Sequence, residues 1–152
     1  MDALDRLLDP PFAKDPPVKI DVPAKMLGLV LAILGAIAAL FGLFGLLSLV
    51  GLGTFAALAG VGGNVLLFEL GGIIGLIGTA VAAWGGYRMY QDDRDGKKLV
   101  IYGLAINVAG GLVSALGSLG SGLAGWIVGA AVAFVIYYLV IISRFEGEPK
   151  LV

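Results

Sequence analysis

The chain has no cysteine and no histidine among its 152 residues. Those two absences exclude disulfides, thiolate or imidazole metal sites, a cysteine nucleophile and a histidine general base. Haem ligation through His or Cys and iron–sulfur ligation are excluded on the same ground, and no cofactor is expected. Charge is scarce as well: Asp, Glu, Lys and Arg make up 14% of the chain, against about 25% in soluble domains. What remains is apolar, with 59% hydrophobic residues and a mean hydropathy of +1.01. A bilayer is the solvent such a composition suits.

A helix needs about 20 apolar residues to cross roughly 30 Å of hydrocarbon. Four stretches qualify, at about 26–50, 65–90, 99–119 and 123–143. None shows the alternation of polar and apolar residues over about ten positions that a membrane barrel strand requires. The first apolar run, at about 25 residues, far exceeds the roughly 7–15 of a signal peptide core. The expectation is that it is retained. The fold class is therefore all-α: an integral membrane four-helix bundle made of two in-out-in helical hairpins. Its outer connections, 51–64 and "GSLGSGLAG" at 117–125, are glycine-rich. A proline-rich arm, 1–25, precedes the spans and a short tail, 144–152, follows them.

All ten basic residues lie in the arm, around the turn "QDDRDGKK" between spans two and three, or at the C-terminal end. With four spans these regions share one face, which the positive-inside rule makes cytoplasmic. Both termini are expected there. Trp84, Tyr87, Tyr90, Tyr102, Tyr137 and Tyr138 fall near that interface and Trp126 near the outer one, as amphipathic rings prefer. Ten of the eleven acidic residues occupy the same face as the bases, so no polybasic surface exists for nucleic acid or anionic lipid. Asp92, Asp93 and Asp95 lack the later glutamate of a calcium loop, and no metal is expected there.

The eleventh acid is Glu69, the only charged residue between Lys25 and Arg88. It stands about one turn inside the second span, on a face shared with Ile73, Leu76, Ala80 and Tyr87. An intramembrane carboxylate is by default a functional hypothesis. Near the outer interface, however, it can reach headgroup water. Three roles follow: a structural hydrogen bond with Asn107, Ser114 or Ser121, proton or cation handling, or a subunit contact. Asn107, the second candidate polar residue, reads as a hydrogen-bonding link between helices, with a contribution of about 0.6–2 kcal/mol.

Lipid gives one helix no hydrophobic reason to leave it for another, so association relies on small residues that let backbones approach. Gly28, Gly35 and Gly42 share a face of span one with Ala32 and Ala39. Gly71, Gly75, Gly78 and Gly86 do so in span two, Gly103 and Gly110 in span three, and Gly125 and Gly129 in span four. A tight bundle is expected from these faces. In the arm, Leu4, Leu7 and Leu8 fall on one side of a possible helical turn before Pro10 and Pro11 end it, and Phe12 follows. These four are candidates for docking a partner, or the bundle's own cytoplasmic face.

Four spans with short loops resemble small multidrug transporters, which carry their essential glutamate in the first span; here that span has no charge after Lys25. The glycine-rich hairpins resemble proteolipid subunits of rotary ATPases, whose carboxylate lies mid-membrane in an outer-ring helix, whereas the last span here has no acid. Neither resemblance carries over a functional residue. With no convergent catalytic motif, the chain reads as a non-enzymatic accessory or scaffold subunit whose small-residue helix faces pack into a larger or homo-oligomeric membrane assembly. Its expected partners are the lipid bilayer and other membrane subunits or copies of itself. The alternative is a small proton- or cation-coupled transporter or channel that uses Glu69.

Overall fold

The computed structural model describes residues 8, 10–13, 16–18, 20–58, 65–118 and 122–147. Among these, four helices follow in order: α1 Ala24–Leu58, α2 Val65–Tyr90, α3 Asp95–Gly117 and α4 Leu123–Ile142. A single 3-10 turn, Pro11–Ala13, precedes them. All four are long and apolar enough to cross a membrane. This is the architecture of a multi-pass membrane protein.

The helix bounds follow from where backbone groups find partners. α2 coincides with the expected span. α3 begins earlier than expected because the Asp93 carboxylate accepts the Asp95 N–H at 2.9 Å, satisfying one of the donors that a helix start leaves open. Asp92 adopts a left-handed φ of 61° after the last turn of α2, a conformation that Asp tolerates better than most residues. α1 departs most from expectation: the stretch after Val50, read as connection, stays helical through Leu58. No proline interrupts that stretch, and in an apolar medium the helix itself is the cheapest way to bond every N–H and C=O. The remainder of that connection, 59–64, and positions 119–121 of the other lie outside the described residues.

Helices α1 and α2 run antiparallel, as do α2 and α3, and α2 packs most extensively on α3. The α2–α3 seam repeats every seventh residue: Gly71, Gly78 and Gly85 on one helix, Gly96, Gly103 and Gly110 on the other. At each of these positions the opposing neighbour is backbone. A Cβ built on Gly78 would lie 2.6 Å from the Gly103 carbonyl oxygen, and one on Gly103 would lie 2.6 Å from the Gly78 carbonyl oxygen. The two helices are thus so close that only hydrogen fits between them. A strict seven-residue period keeps one seam facing its partner along the whole helix pair, the geometry of a left-handed supercoil.

The α1–α2 seam uses the same period with Gly28, Gly35 and Gly42. Gly28 abuts the Gly86 carbonyl, Gly35 meets Ala83, and Gly42 meets Leu76. The small residues of α2 are accordingly divided between two faces. Gly71, Gly75, Gly78 and Gly85 turn to α3 while Gly72 and Gly86 turn to α1, so the single stripe that included Gly86 is corrected to two.

The buried core sits at the end of the layer where the charges cluster. Met89, Val100, Ile101, Val140 and Phe145 pack there with Ala24. Chain segments are tied across it by the Ala24 N–H to Arg144 carbonyl bond, 2.7 Å, and the Arg144 N–H to Val22 carbonyl bond, 2.9 Å. Lys97 donates to the Ser143 carbonyl at the end of α4 and lies 5.2 Å from the Phe145 ring centroid. Toward the other end α4 packs less extensively. The uniformly tight bundle expected from the glycine faces is therefore corrected: α1, α2 and α3 form a tight layer, and α4 joins it fully only at the charged end.

Candidate functional site

Asn107 is the polar centre of the α2–α3 seam. Its amide nitrogen donates to the Gly75 carbonyl at 3.0 Å and to Thr79 Oγ1 at 2.8 Å. Thr79 in turn donates its hydroxyl hydrogen to the same Gly75 carbonyl at 2.9 Å. Gly75 makes room for this by leaving the amide as its nearest neighbour, 3.8 Å from where a Cβ would be. Thr79 was not singled out from the sequence. The signal for it lies in the antiparallel register, which brings Thr79 opposite Asn107 once Gly78 and Gly103 are set against each other.

Glu69 is half-buried in the second turn of α2. Its expected partners are committed elsewhere: Asn107 to Gly75 and Thr79, and Ser114 to the Phe68 carbonyl at 3.0 Å. Ser121 lies outside the described residues. The structural pairing of Glu69 with Asn107 or Ser114 is thereby corrected, because both donors are drawn to backbone carbonyls exposed by missing glycine side chains. With no fixed partner among the described residues, Glu69→Gln is expected to change stability by less than about 0.5 kcal/mol. Unfolding of the variant by titration with SDS in mixed micelles, beside the parent, checks this.

The predicted arm residues divide. Leu4 and Leu7 lie outside the described residues, as does the side chain of Phe12. Leu8 packs against the chain's own core at the charged end, in keeping with the second of the two dockings expected for it rather than the first. The arm is held along the same surface, with the Tyr138 hydroxyl accepting from the Val18 N–H at 3.1 Å and donating to the Val18 carbonyl at 3.0 Å. In the α2–α3 turn, the carboxylates go to separate cations: Asp92 to Lys25 at 3.5 Å, Asp93 to Arg88, and Asp95 to Lys98 at 2.9 Å. Among the described residues no three His, Cys, Asp or Glu side chains are grouped to hold a metal ion.

Two kinds of open surface remain. Between α1 and α2 a groove of about 700 Å³ is floored by Ala32, Ala36, Ala39, Ala80 and Ala83, with Trp84 and Tyr87 near its charged end. The Glu69 face of α2, continuing through Leu76 and Ala80 to Tyr87, runs along it. Along α4 the chain opens differently. Gly125 and Gly129, expected to pack against another helix, have nothing within 4 Å of a built Cβ. They line a groove of about 450 Å³ facing α3. The correction has a simple cause: the Trp126 indole stands between α4 and α3, donating to the Val108 carbonyl at 2.9 Å, and props the glycines away.

Comparison of the chain with protein-family models, with curated proteins and with solved structures found no match.

Proposed function

We propose that this chain is a non-catalytic assembly subunit of a membrane complex, whose α1–α2 groove receives a transmembrane helix of a neighbouring subunit. The observation that carries this reading is the alanine floor. In lipid, helices associate where small residues allow backbone approach and van der Waals contact. The glycines of α2, with Gly28, Gly35 and Gly42 of α1 and Gly96, Gly103 and Gly110 of α3, are used on the chain's own seams. Ala32, Ala36, Ala39, Ala80 and Ala83 instead line one open groove together, with Ala36 and Ala80 exposed. Leu40, Leu43 and Leu76 supply shoulders that would fix the crossing of the incoming helix.

The positive-inside rule supports the charged end being cytoplasmic, and with it both termini and the α2–α3 turn. Glu69 enters as a contact for the incoming helix. No charged residue lies between Lys98 and Arg144, which leaves a proton or cation path through Glu69 without a second station. Native mass spectrometry of gently extracted protein is expected to show it bound to other subunits or to copies of itself. Replacing Ala36 and Ala80 together by Phe is expected to reduce that assembly at least tenfold while the monomer stays folded. A partner-free monomer before substitution, or an assembly indifferent to it, rejects the reading.

A further inference from the structure

The groove along α4 differs from the alanine groove in having a side-chain amide on its wall. Its volume of about 450 Å³ falls within the range of small-molecule sites, roughly 300–1,000 Å³. Phe68 and Trp126 present aromatic surface to it, Gly129 leaves space, and Asn107 is its most polar lining residue.

The orientation of the Asn107 amide follows from its partners. The Gly75 carbonyl can only accept, so the nitrogen faces it. Thr79 Oγ1 gives its own hydrogen to Gly75, so it can only accept the second amide hydrogen. Both N–H donors are thereby used. Asn107 Oδ1 keeps its acceptor capacity, and no donor to it occurs among the described residues. An acceptor at the depth of mid-α3 gains nothing from hydrocarbon and is satisfied by a molecule that brings an O–H or N–H. A neighbouring helix is a poor source, because its backbone N–H groups are bonded within itself. A second copy presenting α4 would bring no Ser, Thr, Asn or Gln. Its Trp126 N–H and Tyr138 O–H already donate to the Val108 and Val18 carbonyls, and Tyr137 lies toward the charged end, away from the depth of Asn107.

We propose that this groove binds a lipid-soluble molecule with an aromatic body and a hydroxyl, the ring lying against Phe68 and Trp126 and the hydroxyl donating to Asn107 Oδ1. The site is separate from the α1–α2 groove and stands or falls independently of what that groove receives.

Trp126 reports on its own site once the other tryptophan, Trp84, is replaced by Phe. The full chain carrying Trp84→Phe is placed in phosphatidylcholine nanodiscs and titrated with 2-naphthol or with 2-methoxynaphthalene, which has the same ring system and no donor. The expected result is saturable quenching of Trp126, with the methyl ether at least fivefold weaker. Asn107→Leu is expected to abolish that difference. Gly129→Leu, which fills the groove without touching Asn107, is expected to remove saturable quenching by both probes, and it guards against misfolding of the Asn107 variant. Three results overturn the proposal. They are quenching that never saturates and is equal for the two probes, saturation indifferent to Gly129→Leu, and an apparent affinity set by the protein-to-lipid ratio, which would put a second copy in the groove.

Discussion

Gly103→Val is expected to drive α2 and α3 apart and to be the most damaging single substitution in the spans. Even the first added carbon would lie 2.6 Å from the Gly78 carbonyl oxygen and 2.7 Å from Ala82 Cα. Both neighbours are backbone atoms of a helix, so neither can rotate away as a side chain would. Relief requires the helices to separate, and because they are stiff rods the separation extends to Gly71–Ser114 at one end of the seam and Gly85–Val100 at the other. Dispersion contacts fall off steeply with distance, and in lipid they are the main force joining the pair. The cost is expected at or above the upper end of the roughly 1–3 kcal/mol typical of overpacking. It is measured by SDS titration of the purified protein. Gly125→Val is the matched control: the same atoms are added where nothing stands within 4 Å, and little change is expected. Equal effects of the two substitutions would mean that the seam is not what holds α2 to α3.

Trp126→Ala is expected to release the far half of α4 while its charged end stays in place. The indole links the two helices there through its bond to the Val108 carbonyl at 2.9 Å and its ring edge, 3.1 Å from where a Gly111 Cβ would be. At the other end α4 is held by buried Val140 and Ile142 and by the Lys97 to Ser143 bond. Truncating a buried Trp costs about 3–5 kcal/mol in a soluble core. Because Trp126 is half-buried and lipid solvates what it vacates, about 2 kcal/mol is expected here. Trp126→Phe, which keeps a ring and loses the hydrogen bond, should cost about 1 kcal/mol. The chain has no cysteine, so two introduced cysteines carry spin labels without background. Labels on α3 and α4 should show a broadened distance distribution near residue 126 and an unchanged one near residue 140. Broadening at both ends would show that α4 is held as one unit.

The two substitutions test features that differed in how far they could be read from sequence. The existence of four helices was legible because hydrocarbon imposes it: about 20 uncharged residues can cross the bilayer only as helix. The C-terminal end of the second helix was legible, since the charged turn after Tyr90 marks it. The end of α1 was not legible, because glycine and alanine give no stop signal when the medium favours helix. The seven-residue glycine repeats were present in the sequence, yet a stripe drawn on one isolated helix merged Gly78 with Gly86, which serve different neighbours. Gly85, Gly96 and Thr79 were missed for the same reason.

The sequence by itself determined the medium, the number and type of the spanning elements, and the gathering of charge at one end. Each of these depends on composition along a single segment and on the free energy of moving that segment into lipid. Only the tertiary structure decided which glycines face which helix, that Asn107 bonds Thr79 and Gly75 while leaving Glu69 alone, and that Trp126 holds Gly125 and Gly129 open. Those outcomes depend on the register between two helices. A shift of one residue turns a helix face by about 100°, and register is set by the sum of many backbone contacts that no single segment contains.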